Sequence, residues 1–173
     1  AEHDIFAQSI LITNSKELIK LVNNCLKSQL SLLPKKKIAH QSIKNFGLAI
    51  YAKSLSKISN VVNLIAPEHL EINLKNSKNI IKKIKNAGSI FIGKFSPEAI
   101  GDYIAGPNHV LPTSGSAKFS SGLSVSDFLK RYSLIKITKS GIERLGPSVI
   151  NLAQHENLDG HANSIKIRLK KDN

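Results

Sequence analysis

The stretch from Phe95 to Val125 constrains the fold most, because it holds four of the ten glycines and three of the six prolines. It reads FSPEAIGDYIAGPNHVLPTSGSAKFSSGLSV. Gly and Pro at this density exclude a long helix. Apolar residues recur throughout, which argues against disorder. We therefore predict a long ordered loop, a kind of segment that is uncommon and usually functional.

Two residues in this loop can carry chemistry. Asp102 and His109 lie seven positions apart, among glycines that let backbone approach a ligand closely. The pair is typical of metal binding or acid–base catalysis. A capping Asp and a loop His whose hydrogen bonds are satisfied are the commoner explanation of such a pair. The pair alone leaves both interpretations open.

Composition excludes several classes of protein. The chain has 173 residues, 41% of them hydrophobic, and no long apolar run, which indicates a soluble globular protein without a membrane span. The single cysteine, Cys25, excludes an internal disulfide framework and fits a cytoplasmic location. Cys25 lies on the apolar side of a helical pattern, so we predict a buried thiol.

The net charge of +13 raises the question of an anionic partner. The lysines are spread along polar faces of the predicted elements, and only 5% of residues are aromatic. No stacking motif interleaves aromatic with basic residues. A basic nucleic-acid-binding module therefore stays a remote alternative, and we predict neither a nucleic-acid nor a membrane partner.

Strand and helix patterns alternate along the first four-fifths of the chain, which predicts the α/β class with some parallel pairing. We expect a partial Rossmann-like sheet domain flanked by helices at 1–138, and a small C-terminal helical tail at 139–173. No G-x-G-x-x-G dinucleotide fingerprint is present. The predicted strands are 7–13, 48–51, 89–92 and 133–138, with a further strand that begins after a turn within 66–72. The predicted helices are 14–33, 35–45, 54–64, 77–87, 127–131 and 139–156.

Several local features follow from particular residues. Asn14 is the predicted N-cap of the first helix, with Glu17 completing a capping box. The helix at 139–156 should be interrupted near Gly146-Pro147. Residues 165–169 alternate between apolar and polar, which fits either an extended arm or a helix.

The segment Ala66–Ile72 (APEHLEI) reads as a turn that feeds a strand. Adjacent side chains of a strand point to opposite faces, so Glu68 and His69 can reach one site only at a bend or a strand end. Pro67 biases Ala66 towards an extended backbone. A bare Glu-His pair is otherwise common on protein surfaces.

Four blocks of the sequence, in this order, closely resemble the histidinol dehydrogenase family. The blocks are AEHD at 1–4, APEHLEI at 66–72, SPEAIGDYIAGPNHVLPTSG at 96–115 and ENLDGHANSIKIRL at 156–169. The resemblance spans the whole chain. It implies an enzyme that oxidises L-histidinol to L-histidine through an aldehyde, in two NAD-dependent steps that end histidine biosynthesis.

The resemblance also assigns roles. Zinc is expected to be bound by His3, Asp102 and His161, together with a Gln that would directly precede Ala1. Glu68 and His69 are the implied acid–base residues, with His69 taking the hydroxyl proton and Glu68 activating water. One departure from the pattern is Gly160, where the family has Ala, and it leaves the adjacent His161 in place. The implied substrate-binding set is His3, His69, Asp102, His109, Glu156 and His161.

The family resemblance further implies that this chain is a C-terminal part of the enzyme. The NAD-binding residues would precede Ala1, so the NAD site is expected outside the chain. The resemblance also implies a homodimer in which the C-terminal segment supplies Glu156 and His161 to the partner's site. A non-catalytic remnant that keeps the motifs without activity is the second interpretation.

Overall fold

A computed structural model describes residues 1–170, and it divides into two compact units, 1–128 and 129 onward. Residues 171–173, the end of the predicted tail, lie outside the described residues. The first unit contains β1 (Ile10–Thr13), α1 (Lys16–Leu30), α2 (Lys36–Phe46), β2 (Leu48–Tyr51), α3 (Leu55–Ile65), β3 (His69–Ile72), α4 (Lys78–Ile81), β4 (Ser89–Ile92) and α5 (Glu98–Tyr103). Two short 3-10 turns follow α5, at Ser116–Lys118 and Val125–Phe128. The second unit contains α6 (Lys139–His155) and α7 (Asp159–Leu169).

The strands form two separate parallel pairs within the described residues. β1 pairs with β2 so that Ile10 lies beside Leu48, and helices α1 and α2 connect them. β3 pairs with β4 so that His69 lies beside Ser89. Parallel strands joined through helices are the α/β arrangement, so the predicted class and the parallel pairing are confirmed.

Two helices of the first unit, α1 and α3, begin at a serine whose side chain caps the helix. The predicted cap at Asn14 is wrong, because the Ser15 hydroxyl accepts the hydrogen bond from the Leu18 amide at 3.1 Å. Ser15 has the extended backbone that an N-cap needs. Ser54 caps α3 in the same way, with its hydroxyl 3.3 Å from the Lys57 amide nitrogen.

The end of α3 differs from the extended backbone predicted for Ala66. Ala66 adopts the left-handed conformation, with φ of 52°, and its amide donates to the Val62 carbonyl at 2.8 Å. This is a left-handed C-cap, in which a hydrogen bond to the last turn outweighs the preference imposed by the following Pro67. Ala66 is fully buried, so its surroundings hold the strained backbone in place.

The predicted burial of Cys25 is also wrong, because its side chain is exposed. Helix α1 has the expected amphipathic pattern, yet none of its residues is buried in the described chain. Leu21, on the same apolar side, is 52% exposed. The pattern predicted the helix correctly, but it does not specify what covers the apolar face.

The second unit is a pair of packed helices. α6 runs through Pro147 without the predicted interruption, and α7 forms where the pattern left a helix or an extended arm open. Gly146 lets the two helices approach closely, because a Cβ there would lie 2.8 Å from Leu169 Cδ1. The strand predicted at 133–138 is wrong: these residues have no regular secondary structure, and Leu134 is 90% exposed.

In the part of the chain that the structure describes, no helix combines the length and the hydropathy needed to cross a bilayer.

Candidate active site

Glu68 occupies a bend immediately before β3, and His69 is the first residue of that strand. Two residues around the start of β4 hold the bend in place. The Gly88 amide donates to the Pro67 carbonyl at 2.9 Å, and the Ser89 amide donates to the Glu68 carbonyl at 2.8 Å. A Cβ at Gly88 would lie 2.5 Å from the Glu68 oxygen, so only glycine fits. The pair therefore stands at a strand end, the one place where adjacent residues can serve a single site.

Helix α5 brings two carboxyl groups to His69. Asp102 Oδ1 lies 3.2 Å from His69 Nε2, and Glu98 Oε1 lies 4.0 Å from the same nitrogen. Glu98 and Asp102 are four residues apart, one helical turn, so both project from one face of α5. The potential ligand atoms of His69, Glu98 and Asp102 all lie within 4.8 Å of one another. These three partly buried side chains form the centre of the site.

The two carboxyl groups differ in their readiness to ionise. Burial raises the pKa of Glu98, and a hydrogen bond shared with Asp102 raises it further, against the lowering effect of the His69 charge. Burial also opposes ionisation of Asp102. Hydrogen bonds with Glu98 and His69 outweigh that effect, so the pKa of Asp102 lies below its ordinary value. Asp102 is thus the carboxylate of the pair, and Glu98 the group that holds a proton more readily.

Two other predicted residues of the first unit act on this cluster. The charge of His3 lowers the pKa of Glu98, and the charge of His109 lowers the pKa of Asp102. Both histidines are exposed. His109 lies in an ordered turn, because the Asn108 side chain accepts from the Val110 amide at 2.8 Å and the Leu123 amide donates to the Val110 carbonyl at 2.9 Å. The loop predicted at 95–125 is therefore ordered, with α5 as an unpredicted helix inside it.

Glu156 and His161 lie in the second unit. Glu156 is the C-cap of α6, where its amide donates to the Leu152 carbonyl at 3.1 Å. His161 lies in the first turn of α7, and its amide donates to the Leu158 carbonyl at 3.0 Å. Both residues are exposed. The predicted set is thus divided between two compact units.

Glu98 was not among the residues predicted from the sequence. The signal that could have identified it is its spacing of four from Asp102, which places both residues on one face if the segment is helical. The Gly and Pro content of the stretch led us to predict a loop instead. The six-residue helix between Pro97 and Ile104 restores that spacing.

Helix α5 can approach the sheet because Gly101 has no side chain. A Cβ at Gly101 would lie 2.5 Å from Phe91 Cε1 and 2.7 Å from Phe91 Cζ, and Phe91 is a buried residue of β4. The Phe91 ring also lies 5.9 Å from the His69 ring, measured between centroids. The close contact therefore holds Asp102, the next residue, beside His69.

Replacing Gly101 with alanine should destabilise the protein. Overpacking against the Phe91 ring costs about 1–3 kcal/mol, which exceeds the roughly 1 kcal/mol that alanine gains over glycine inside a helix. Urea unfolding followed by circular dichroism would measure the change in the free energy of unfolding. Phe91→Leu removes the opposing ring atoms, so the double variant should be less destabilised than the sum of the two single changes. Strict additivity would show that the contact is not the cause.

Comparison with known proteins identifies the family. Residues 1–169 match the family model described as histidinol dehydrogenase. The chain belongs to the histidinol dehydrogenase family. It is 54% identical over 171 residues to the histidinol dehydrogenase of Pelagibacter ubique and 48% identical over 172 residues to that of Caldanaerobacter subterraneus, and each match covers 99% of this chain. The crystal structure of histidinol dehydrogenase from Elizabethkingia anophelis matches 98% of the chain with a TM-score of 0.91 and 39% identity.

The chain spans about 40% of the length of the curated relatives it matches. It likewise covers 39% of the matching Elizabethkingia chain. Membership of the family and the α/β fold are therefore shown for this chain, and the resemblance stated from its four sequence blocks is confirmed.

Proposed function

We propose that this chain is the C-terminal part of a histidinol dehydrogenase that oxidises L-histidinol to L-histidine through the aldehyde, with zinc and NAD. The observation that carries the proposal is the placement of His69 at a strand end, 3.2 Å from Asp102 and directly after Glu68 at a bend. The family match over residues 1–169 supports L-histidinol as the substrate. We also propose a cytoplasmic location, in keeping with the single cysteine.

The residues present suit a zinc ion bound by His3, Asp102 and His161. Zinc takes imidazole nitrogen and carboxylate oxygen, and a ligand must be deprotonated to bind. The lowered pKa of Asp102 meets that requirement. A carboxylate has two oxygens, so Asp102 can contact His69 through Oδ1 and still offer an oxygen to a metal. When bound, zinc would hold and polarise the substrate, as a Lewis acid does.

His69 would remove the proton from the substrate hydroxyl in the first oxidation. A neutral imidazole has a ring nitrogen that can accept a proton, which suits a general base. The Asp102 carboxylate, 3.2 Å from Nε2, would stabilise the imidazolium that forms. NAD, when bound by the part of the enzyme outside this chain, would accept the hydride released in each of the two oxidations.

Glu68 would act in the second oxidation, by taking a proton from the water that attacks the aldehyde. Glu68 lies at the bend directly before His69, so the two side chains leave the backbone from adjacent positions. This placement supports a role for His69 in the first oxidation and for Glu68 in the second. His3, His109, Glu156 and His161 would complete the substrate-binding set with His69 and Asp102. Glu156 and His161 would come from the partner in a homodimer.

The chain alone should produce no NADH from L-histidinol, because the proposed NAD-binding residues precede Ala1. The experiment supplies the purified chain with L-histidinol, NAD and zinc and follows NADH absorbance. The full-length enzyme, in which this chain is joined to the remaining polypeptide, is assayed in parallel and should turn over. Sustained zinc-dependent turnover by the isolated chain would contradict the proposed location of the NAD site. An inactive full-length enzyme would contradict the proposed function and favour a non-catalytic remnant.

A further inference from the structure

Helix α5 begins without a local cap. Pro97, which precedes its first residue, has neither a capping side chain nor an amide hydrogen, and no side chain next to it caps the helix. The Glu98 amide instead donates to Glu71 Oε1 at 3.0 Å. Glu71 stands 27 residues earlier, on β3. A distant carboxylate therefore fills the role that an adjacent Ser, Thr or Asp usually has.

The same strand carries His69. His69 and Glu71 are two positions apart in β3, so both side chains leave the same face of the sheet. Phe91 lies beside Glu71 in the parallel pairing of β3 with β4. Helix α5 thus meets this face at three points: Glu71 at the Glu98 amide, Phe91 under Gly101, and His69 at Asp102. Only the first and the last are hydrogen bonds, and they lie one helical turn apart.

We propose that Glu71 is a positioning residue of the active site. Its carboxylate holds the first turn of α5 on β3 and so sets where Asp102 and Glu98 stand relative to His69. A carboxylate at the start of a helix also interacts favourably with the helix dipole, which strengthens the hydrogen bond. The consequence for zinc binding and catalysis rests on the proposed function, whereas the effect on the geometry of α5 does not.

Three substitutions of Glu71 in the full-length enzyme separate the effect of side-chain length from the effect of charge. Glu71→Gln keeps an acceptor oxygen at the same distance, Glu71→Asp keeps the charge but withdraws it by about 1.5 Å, and Glu71→Leu removes both. Glu17→Leu is the matched control, because Glu17 is an exposed acid in the first turn of α1. Zinc affinity is measured by competition with a chromogenic chelator. Steady-state kinetics give kcat and KM, and amide hydrogen exchange reports on residues 98–103.

The Leu and Asp variants should bind zinc and turn over roughly 10–100-fold less well, the usual loss when a partner that orients a metal ligand is removed. KM for NAD should not change. The Gln variant should stay within about fivefold of wild type, the size of a lost helix-dipole interaction. Exchange at the Glu98 amide should rise at least about tenfold in Leu and Asp but not in Gln, because a charge-assisted hydrogen bond is lost. Glu17→Leu should match wild type in every measurement.

Wild-type zinc affinity and exchange in Glu71→Leu would overturn the inference. So would the reverse order, with Asp like wild type and Gln impaired, because charge alone would then account for the role. If Glu71→Leu does not fold, the comparison of Asp with Gln decides alone. A wild-type enzyme that neither binds zinc nor turns over refutes the proposed function. The exchange rates in the four variants still decide whether Glu71 holds α5.

Discussion

Replacing His69 with asparagine in the full-length enzyme is expected to slow the first oxidation by roughly 10²–10⁴-fold, the scale of a lost general base. Asparagine keeps a polar side chain of similar size next to Asp102 but cannot take the hydroxyl proton. Rapid-mixing measurement of the first NADH formed would report the step directly. His40→Asn is the control, because His40 is exposed on α2 and belongs to no predicted site.

Glu68→Gln should separate the two oxidations. It should leave the first hydride transfer from L-histidinol near wild type and impair the oxidation of histidinaldehyde supplied directly, because the base that activates water is gone. His69→Asn should show the opposite preference. If the Glu68→Gln enzyme oxidised the aldehyde at a normal rate, Glu68 would have no catalytic role and would be only a structural residue at the bend.

Local chemistry in the sequence predicted much of the first unit. β2 and β4 occupy the predicted residues, because a short apolar run between turn residues is a local signal for a strand. α3 begins after Ser54, because a serine cap is likewise a local signal for the start of a helix. The predicted strand at 133–138 failed for the complementary reason. A strand needs a hydrogen-bonded partner, and no described residue pairs with this segment. Its apolar residues contain no information about that partner.

Candidate site residues could be proposed from the sequence where a motif contains them. Glu68, His69 and Asp102 came from two blocks of sequence, and the fold places His69 and Asp102 in contact. Glu98 and Glu71 could not be found in that way. Their contacts join residues that are 27 and 29 positions apart in the sequence, Glu71 with the Glu98 amide and His69 with the Glu98 carboxyl. Such contacts depend on the docking of α5 on β3, which no local pattern encodes.

The predicted site residues are divided between two units, and this leads to a prediction whose outcome is the presence or absence of enzyme activity. Asp102 lies in the first unit and His161 in the second. If the second unit serves the partner's site, Asp102→Ala and His161→Ala enzymes should each be inactive, yet activity should return on mixing. In a mixed dimer, one site collects both lesions and the other is intact, so activity should reach up to about half of wild type per mixed dimer.

A second mixture is the negative control for this experiment. Asp102→Ala with His3→Ala places both lesions in the first unit, so every site of a mixed dimer lacks one ligand and no activity should return. Subunit exchange is verified in both mixtures by native mass spectrometry of one isotope-labelled variant. Activity in the first mixture alone supports the crossed arrangement, because only a site built from two chains can exclude both lesions at once. Confirmed exchange without recovery in either mixture would mean that one chain supplies Asp102 and His161 together.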